Sequence, residues 1–245
     1  MIFFDIDGTL IDHATASATA SLHFHDRYRA QIPFPREQFP EVWERILMKH
    51  FERFCRGELS VWGQRRERMR EVFGDSRLPD VECDRRYRDF VAEYEPATRA
   101  YADVNPALKQ LREQRLGIIS NGIRDQQIGK LERAGLLPFF SVMVFSEDAG
   151  LGKPAPQIFR EACLRAGDAP ADCIYIGDHL QTDIIASRGF GMRAIWVDRS
   201  ASGTRFEDVP AIASLRDLQS ALNTCRGKTA ALDDPDSSRA FASPR

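Results

Sequence analysis

The chain has no excess of charge, no long apolar run, and no cysteine spacing of the kind that holds zinc. Its 34 Lys and Arg residues stand against 36 Asp and Glu, a formal net charge of -2, so no global field draws it to a nucleic acid polymer or an anionic membrane. Any affinity for phosphate must be local. The five cysteines, Cys55, Cys83, Cys163, Cys173 and Cys225, are odd in number and include no C-x-x-C pair, which predicts thiols in a reducing compartment rather than a disulfide framework. Met1 runs directly into Ile2-Phe3-Phe4-Asp5 without a basic leader or a long apolar segment, and the expectation is a cytoplasmic protein with no membrane partner.

What is present is an ordinary globular composition, 43% hydrophobic and 29% charged over 245 residues, enough for one core carrying a smaller insert. Ile2-Phe3-Phe4 before Asp5-Ile6-Asp7-Gly8 is short, apolar and broken by Gly, as a buried strand ending in a loop would be. Leu116-Gly117-Ile118-Ile119 ends similarly in Ser120-Asn121-Gly122, and Cys173-Ile174-Tyr175-Ile176 in Gly177-Asp178. Helical patterns cover Val104 to Arg115, Gln126 to Ala134 and Pro156 to Ala166, with shorter strands at Val142 to Phe145 and Ala194 to Val197. Strands alternating with helices predict an α/β fold, a Rossmann-like parallel sheet with helices on both faces, over residues 1–13 and 98–223.

Residues 14–97 read differently. Charged helical patterns, Phe39 to Phe54 and Leu59 to Phe73 among them, occur there without a strand, which predicts a helical cap inserted after the first strand-loop unit. That position places it over the edge of the sheet where ligands bind in open α/β folds. Residues 224–245 are polar and aperiodic and predict a disordered tail.

In a parallel sheet the strand ends meet at one edge, so Asp5 with Asp7, Ser120, and Asp178 converge there, joined by Lys153 from the loop before Pro154. A phosphate monoester dianion approaching Asp5, Asp7 and Asp178 meets up to three negative charges against one ammonium, and repulsion wins. A divalent cation reverses the balance, and Mg2+ suits a site with few carboxylates that bridges to phosphate.

These residues resemble the haloacid dehalogenase superfamily through Asp5-Ile6-Asp7-Gly8-Thr9, Ser120-Asn121-Gly122, Lys153-Pro154, and Gly177-Asp178 followed by Asp183. The four motifs appear in order, with the spacing of members whose helical cap lies between the first two, and the finer pattern looks like the nucleotidase and N-acylneuraminate-9-phosphatase branch. The resemblance implies a phosphatase in which Mg2+ is held by Asp5, Asp178 and the backbone carbonyl of Asp7. Asp5 would attack phosphorus and form an aspartyl-phosphate. Asp7 would act as general acid and then base, protonated at first through nearby negative charge and burial. Ser120, Asn121 and Lys153 would bind phosphoryl oxygens, Asp183 would anchor Lys153 or a metal-bound water, and Thr9 would position the loop by bonding backbone.

The implied substrate is a small phosphorylated metabolite, a nucleoside monophosphate or a sugar phosphate, acted on by a monomer or homodimer. A dehalogenase of the same superfamily needs neither metal nor an acid at Asp7. A phosphomutase would carry a Thr-His arrangement after Leu10-Ile11-Asp12, which is missing. A non-catalytic binding module would have no need to keep all five polar residues together. His23 and His25 fall on different faces of a helix and, with His50, are read as cap packing rather than metal ligands. His179, beside Asp178, is either a substrate contact or exposed. Phe39, Trp43, Phe51, Phe54 and Trp62 are read first as cap packing, with a place in the wall of a substrate pocket as the alternative for one of them.

Overall fold

The computed structural model describes residues 1–206 and 208–230. Strand β1 (Ile2–Phe4) is followed by four helices, α1 (His13–Arg27), α2 (Phe39–Cys55), α3 (Val61–Phe73) and α4 (Asp80–Ala97), before α5 (Val104–Gln110) and β2 (Leu116–Ser120) return the chain to the sheet. Thereafter come α6 (Arg124–Arg133), β3 (Val142–Phe145), α7 (Ser146–Ala149), α8 (Pro156–Ala166), β4 (Ile174–Gly177), α9 (Ala186–Gly189), β5 (Arg193–Val197), β6 (Ala211–Ile212) and α10 (Leu218–Ala230).

All six strands are parallel, in the order β3-β2-β1-β4-β5-β6. The chain builds outward from β1 on one side and then crosses to β4 on the other, so the C-terminal ends of β1, β2 and β4 surround a topological switch point, where such sheets bind ligands. Side chains alternate across the sheet with period two. Ile2 and Phe4 enter a core with Leu108 of α5, Leu131 of α6 and Leu222 of α10, while Phe3 enters a second core with Phe159 of α8 and Tyr175. Both faces are therefore covered by helices, as the sequence predicts.

The insert has its own core. Phe24, Trp43, Phe73, Phe90 and Tyr94 pack together with Met69 and Cys83, and the Trp43 and Phe90 rings stack at 4.0 Å. Each large side chain so buried contributes roughly 1.5–3 kcal/mol. Asp12 caps α1 by accepting from the Thr15 amide, and Ser60 caps α3 by accepting from the Gly63 amide.

Two boundaries differ from expectation by more than two residues. The helix predicted from Val104 to Arg115 stops at Gln110, because the chain must turn, with Gln114 N–H donating to the Leu111 carbonyl, to bring Leu116 beside Ile2. The disordered tail predicted from 224 begins too early, since α10 continues to Ala230 and Cys225 extends the buried stripe of Leu218, Ala221 and Leu222 at helical spacing. The remainder of that expectation, 231–245, lies outside the described residues. No described helix is long and apolar enough to cross a membrane.

Candidate active site

The loop after β1 owes its shape to close approach. Gly8 has φ +85°, and a Cβ there would lie 2.2 Å from Asp178 Oδ2, so only glycine lets the two loops meet. Gly177 is equally constrained, since a Cβ would lie 2.4 Å from Asp183 Oδ2. The consequence is a cluster in which carboxylate oxygens of Asp5, Asp178 and Asp183 all lie within 4.8 Å of one another. Burial raises Asp5 to about 6, with Asp183 and Asp7 adding to the rise and Lys153 opposing it. Burial, then Asp183 and Asp5, push Asp178 well above the usual carboxylate range. Both would titrate more normally with a cation between them.

Lys153 sits in the middle of this charge. Its Nζ donates to Asp5 Oδ1 and Asp183 Oδ1, each at 2.6 Å, and to the Tyr175 hydroxyl at 2.8 Å. With Lys153 3% exposed, the ammonium is held protonated by its two acids despite burial. The Tyr175 hydroxyl donates in turn to the Ile119 carbonyl. Asp183 therefore anchors Lys153, one of the two roles expected of it, and its carboxylate joins those of Asp5 and Asp178 in the cluster, where the sequence had grouped Asp7 with those two.

The other expected residues are brought to the same edge, with altered duties. Thr9 donates to Asp178 Oδ1 at 3.0 Å rather than to backbone. Asn121 bonds Lys153 twice, Nδ2 to its carbonyl and Oδ1 from its amide, at 2.9 and 2.7 Å, so its side chain holds the lysine loop and only its backbone is left for phosphate. Ser120 is buried, and its Oγ accepts from Gln127 Nε2 at 2.8 Å.

Asp7 reverses its expected ionisation. Lys130 Nζ donates to both its oxygens, at 2.8 and 2.7 Å, and Gln127 Nε2 to Oδ2 at 3.2 Å. Burial favours the neutral acid, but Lys130, with His13 and the hydrogen bonds, outweighs it and holds Asp7 at about 2. The proton expected on Asp7 is therefore absent in this state.

Gln127, Lys130 and Tyr175 were missed by sequence reasoning. The detectable signal was spacing, since Gln127 and Lys130 lie three residues apart on α6, beside the buried Leu131. Above the cluster a cavity of about 710 Å³ separates sheet from bundle, lined on the bundle side by Phe51, Phe54, Arg65 and Arg68. Phe51 and Phe54 thus face the cavity and Trp62, read as packing, is exposed, whereas Phe39 and Trp43 are packing, as read. His179 lines the cavity, edge-on to Phe51, and its Nδ1 accepts from the Thr182 amide. His25 is buried, bonded to the Phe34 carbonyl through Nε2, and His50 pairs with Glu71.

An acidic cluster at the switch point of a parallel sheet, beneath a helical insert, defines a haloacid dehalogenase-like hydrolase, and the chain belongs to that family, which residues 1–191 match. Among individual relatives it is 43% identical over 101 residues to the phosphoserine phosphatase of Thermus thermophilus, covering 41% of this chain and 39% of that one. It is 29% identical over 211 residues to the N-acylneuraminate-9-phosphatase of Rattus norvegicus, covering 81% and 82%. The chain spans about two fifths of the length of the first curated relatives it matches. In fold it is similar to the HAD-hydrolase YfnB of Bacillus subtilis bound to magnesium, with TM-score 0.78, 23% identity and 91% and 97% of the two chains covered. A 2-haloacid dehalogenase from Pseudomonas syringae also shares the fold, with TM-score 0.63, 27% identity and 90% and 96% covered.

Proposed function

We propose that the chain is a magnesium-dependent phosphatase of small phosphate monoesters, working through an aspartyl-phosphate on Asp5, with residues 14–97 as its cap. The observation that carries this reading is the convergence of Asp5, Asp178 and Asp183 within 4.8 Å around the buried ammonium of Lys153. Asp5 and Asp178, with the backbone carbonyl of Asp7, would hold Mg2+, and the all-oxygen donor set fits a hard cation. Bound there, the ion supplies positive charge that lets a phosphate dianion approach the acids and neutralises charge developing on the transferred group.

The steps belong to the protein's own groups. Lys153 fixes Asp5 Oδ1, which leaves Oδ2 to attack phosphorus. A bond forms from Oδ2 to phosphorus as the ester P–O bond breaks, its electron pair departing with the leaving oxygen. That oxygen takes a proton from Asp7. Because Lys130 keeps Asp7 ionised, the proton must be taken up as substrate arrives, and the incoming dianion favours exactly that uptake by adding negative charge beside the carboxylate. In the second step Asp7 needs no such change: it removes a proton from water, the resulting hydroxide attacks phosphorus, and Asp5 is released. Ser120 Oγ, the Asn121 backbone amide and Lys153 bind the phosphoryl oxygens.

Dehalogenation is favoured by the fold shared with the Pseudomonas syringae enzyme. Against it, that chemistry needs neither a metal nor an acid at Asp7, and so has no use for the cradle of Lys130 and Gln127 around Asp7. Phosphate release from a panel of nucleoside monophosphates, sugar phosphates and phosphorylated acids, with magnesium and with a chelator, separates the two. Hydrolysis that stops on chelation is expected; chelator-insensitive halide release from a haloacid would overturn the reading.

A further inference from the structure

Helix α3 carries Arg65, Arg66, Arg68 and Arg70, and they divide into two kinds. Arg66 pairs with Asp80 and Asp84, and Arg70 with Glu67 and Asp80, so the outward side of the helix is neutralised by its neighbours. Arg65 and Arg68, three residues apart, are each 6% exposed and line the cavity above Asp5. Neither has a carboxylate within ion-pair distance among the described residues. A buried guanidinium without a counter-charge is costly, because desolvation is not repaid by a partner.

The two are nevertheless held firmly. Arg65 lies over the rings of Trp62 and Tyr87, at 5.2 and 4.7 Å, and Arg68 over Trp43 and Tyr87, at 5.4 and 5.2 Å. Arg65 Nη2 donates to Gln126 Oε1 at 2.6 Å, across the gap between bundle and sheet. Its Nε and Nη1 are buried and find no acceptor. Beside it, Gln64 Oε1 is likewise buried without a donor. Stacked, preorientated donors facing a cavity are how a planar or phosphate anion is recognised.

From this geometry we infer that Arg65 and Arg68 form an anion subsite in the cavity, which takes a second negative group, carboxylate or phosphate, on the substrate whose phosphoryl group meets Asp5. The inference rests on the phosphatase reading and narrows it, from nucleoside monophosphates and neutral sugar phosphates to phosphorylated acids and bisphosphorylated compounds. Glu44 also lines the cavity and attracts Arg68 through space, but it forms no ion pair with either arginine among the described residues. The Gln64 carbonyl oxygen would accept from a hydroxyl or amide beside the anion.

The test uses non-hydrolysable probes and full-length protein with magnesium. Dissociation constants are measured by calorimetry for 3-phosphonopropionate, propane-1,3-bisphosphonate and propylphosphonate, against wild type, Arg65→Gln and Arg68→Gln. Either doubly anionic probe should bind wild type at least roughly tenfold tighter than propylphosphonate, and that ratio should fall to within about twofold in each variant. Tighter binding of the carboxylate probe identifies the second group as a carboxylate, and tighter binding of the bisphosphonate as a phosphate. Equal affinity for all three probes in wild type, or a ratio unchanged in both variants, overturns the subsite. The ratio is read within each protein, so partial misfolding alters stoichiometry rather than the outcome. Arg65→Lys and Arg68→Lys, which keep the charge, serve if a Gln variant does not fold and should keep part of the preference. A wild type that keeps the ratio but hydrolyses no ester would instead sink the phosphatase reading and leave the subsite standing.

Discussion

Among single residues, Lys153 bears most on both stability and chemistry, because one buried ammonium answers two buried carboxylates. Removing it strands Asp5 and Asp183, so Lys153→Ala is expected to lose about 3–5 kcal/mol of unfolding free energy, read from denaturant titration in chelator at neutral pH. A loss below about 1 kcal/mol would mean the ion pairs are solvated. Asp7 makes a separate prediction through its acidity. Its value in the fold, about 2 against the usual 3.8, means stability that is present above pH 3.8 and lost as pH falls through about 2. The contribution is about 2 kcal/mol. The stability difference between wild type and Asp7→Asn should therefore shrink by about that amount between pH 5 and pH 2, a window set by those two values, in melting curves across the range. A difference independent of pH would contradict the Lys130 pairing. The sequence revealed Asp5, Asp7, Ser120, Lys153 and Asp178 because strand ends and glycine loops are local signals. It could not reveal that Asp7 is ionised, since Lys130 lies far away in the chain and reaches it only through packing. Arg65 and Arg68 were equally hidden, looking like any charged helix until the paired Arg66 and Arg70 set them apart.

Among elements, the loop after β1 is held from outside as well as by its own turns. Arg199, just beyond β5, donates through Nε to the Gly8 carbonyl at 3.1 Å and through Nη2 to the Thr9 carbonyl at 2.7 Å. Its guanidinium lies 3.6 Å from the Tyr101 ring centroid and pairs with Asp103, whose Oδ2 also accepts from Ser214 Oγ and the Leu215 amide. The loop carrying Asp5 and Asp7 is thereby tied to the segment after β5 and to the start of α5. Arg199→Ala should lower kcat roughly tenfold or more with the fold retained, because a small displacement of the nucleophile is expensive. Unchanged kcat in steady-state assays would mean that Gly8 and Thr9 hold their geometry unaided. This tie was illegible in the sequence, where Arg199 stands in an undistinguished Asp-Arg-Ser run, whereas the elements themselves were mostly legible. β3, α8 and the cap helices α2 and α3 fell close to their predicted limits because apolar periodicity is local. Helix α5 was overestimated because its end is set by where β2 must join β1.

At the scale of the whole molecule, two packed bodies share one cavity. The sheet supplies the acids and Lys153, while the helical bundle supplies aromatic walls and the guanidinium groups of Arg65 and Arg68, neither in an ion pair among the described residues. Under the proposed function, that division would let the transferred group be fixed by the sheet and the rest of the substrate be chosen by the bundle. Its order in the chain, a bundle inserted between β1 and β2, follows from apolar stripes and strand ends that are both readable, but the shape of the cavity comes from how the bodies pack and was not. The reading as a whole depends on Asp5 becoming phosphorylated. Wild-type protein turning over p-nitrophenyl phosphate with magnesium, quenched in acid within milliseconds and digested for mass spectrometry, should carry one phosphoryl group on Asp5. Asp5→Asn should carry none and lose at least roughly 10⁴-fold in kcat. An unmodified Asp5 peptide under turnover, or an Asp5→Asn protein that still turns over normally, would contradict the account.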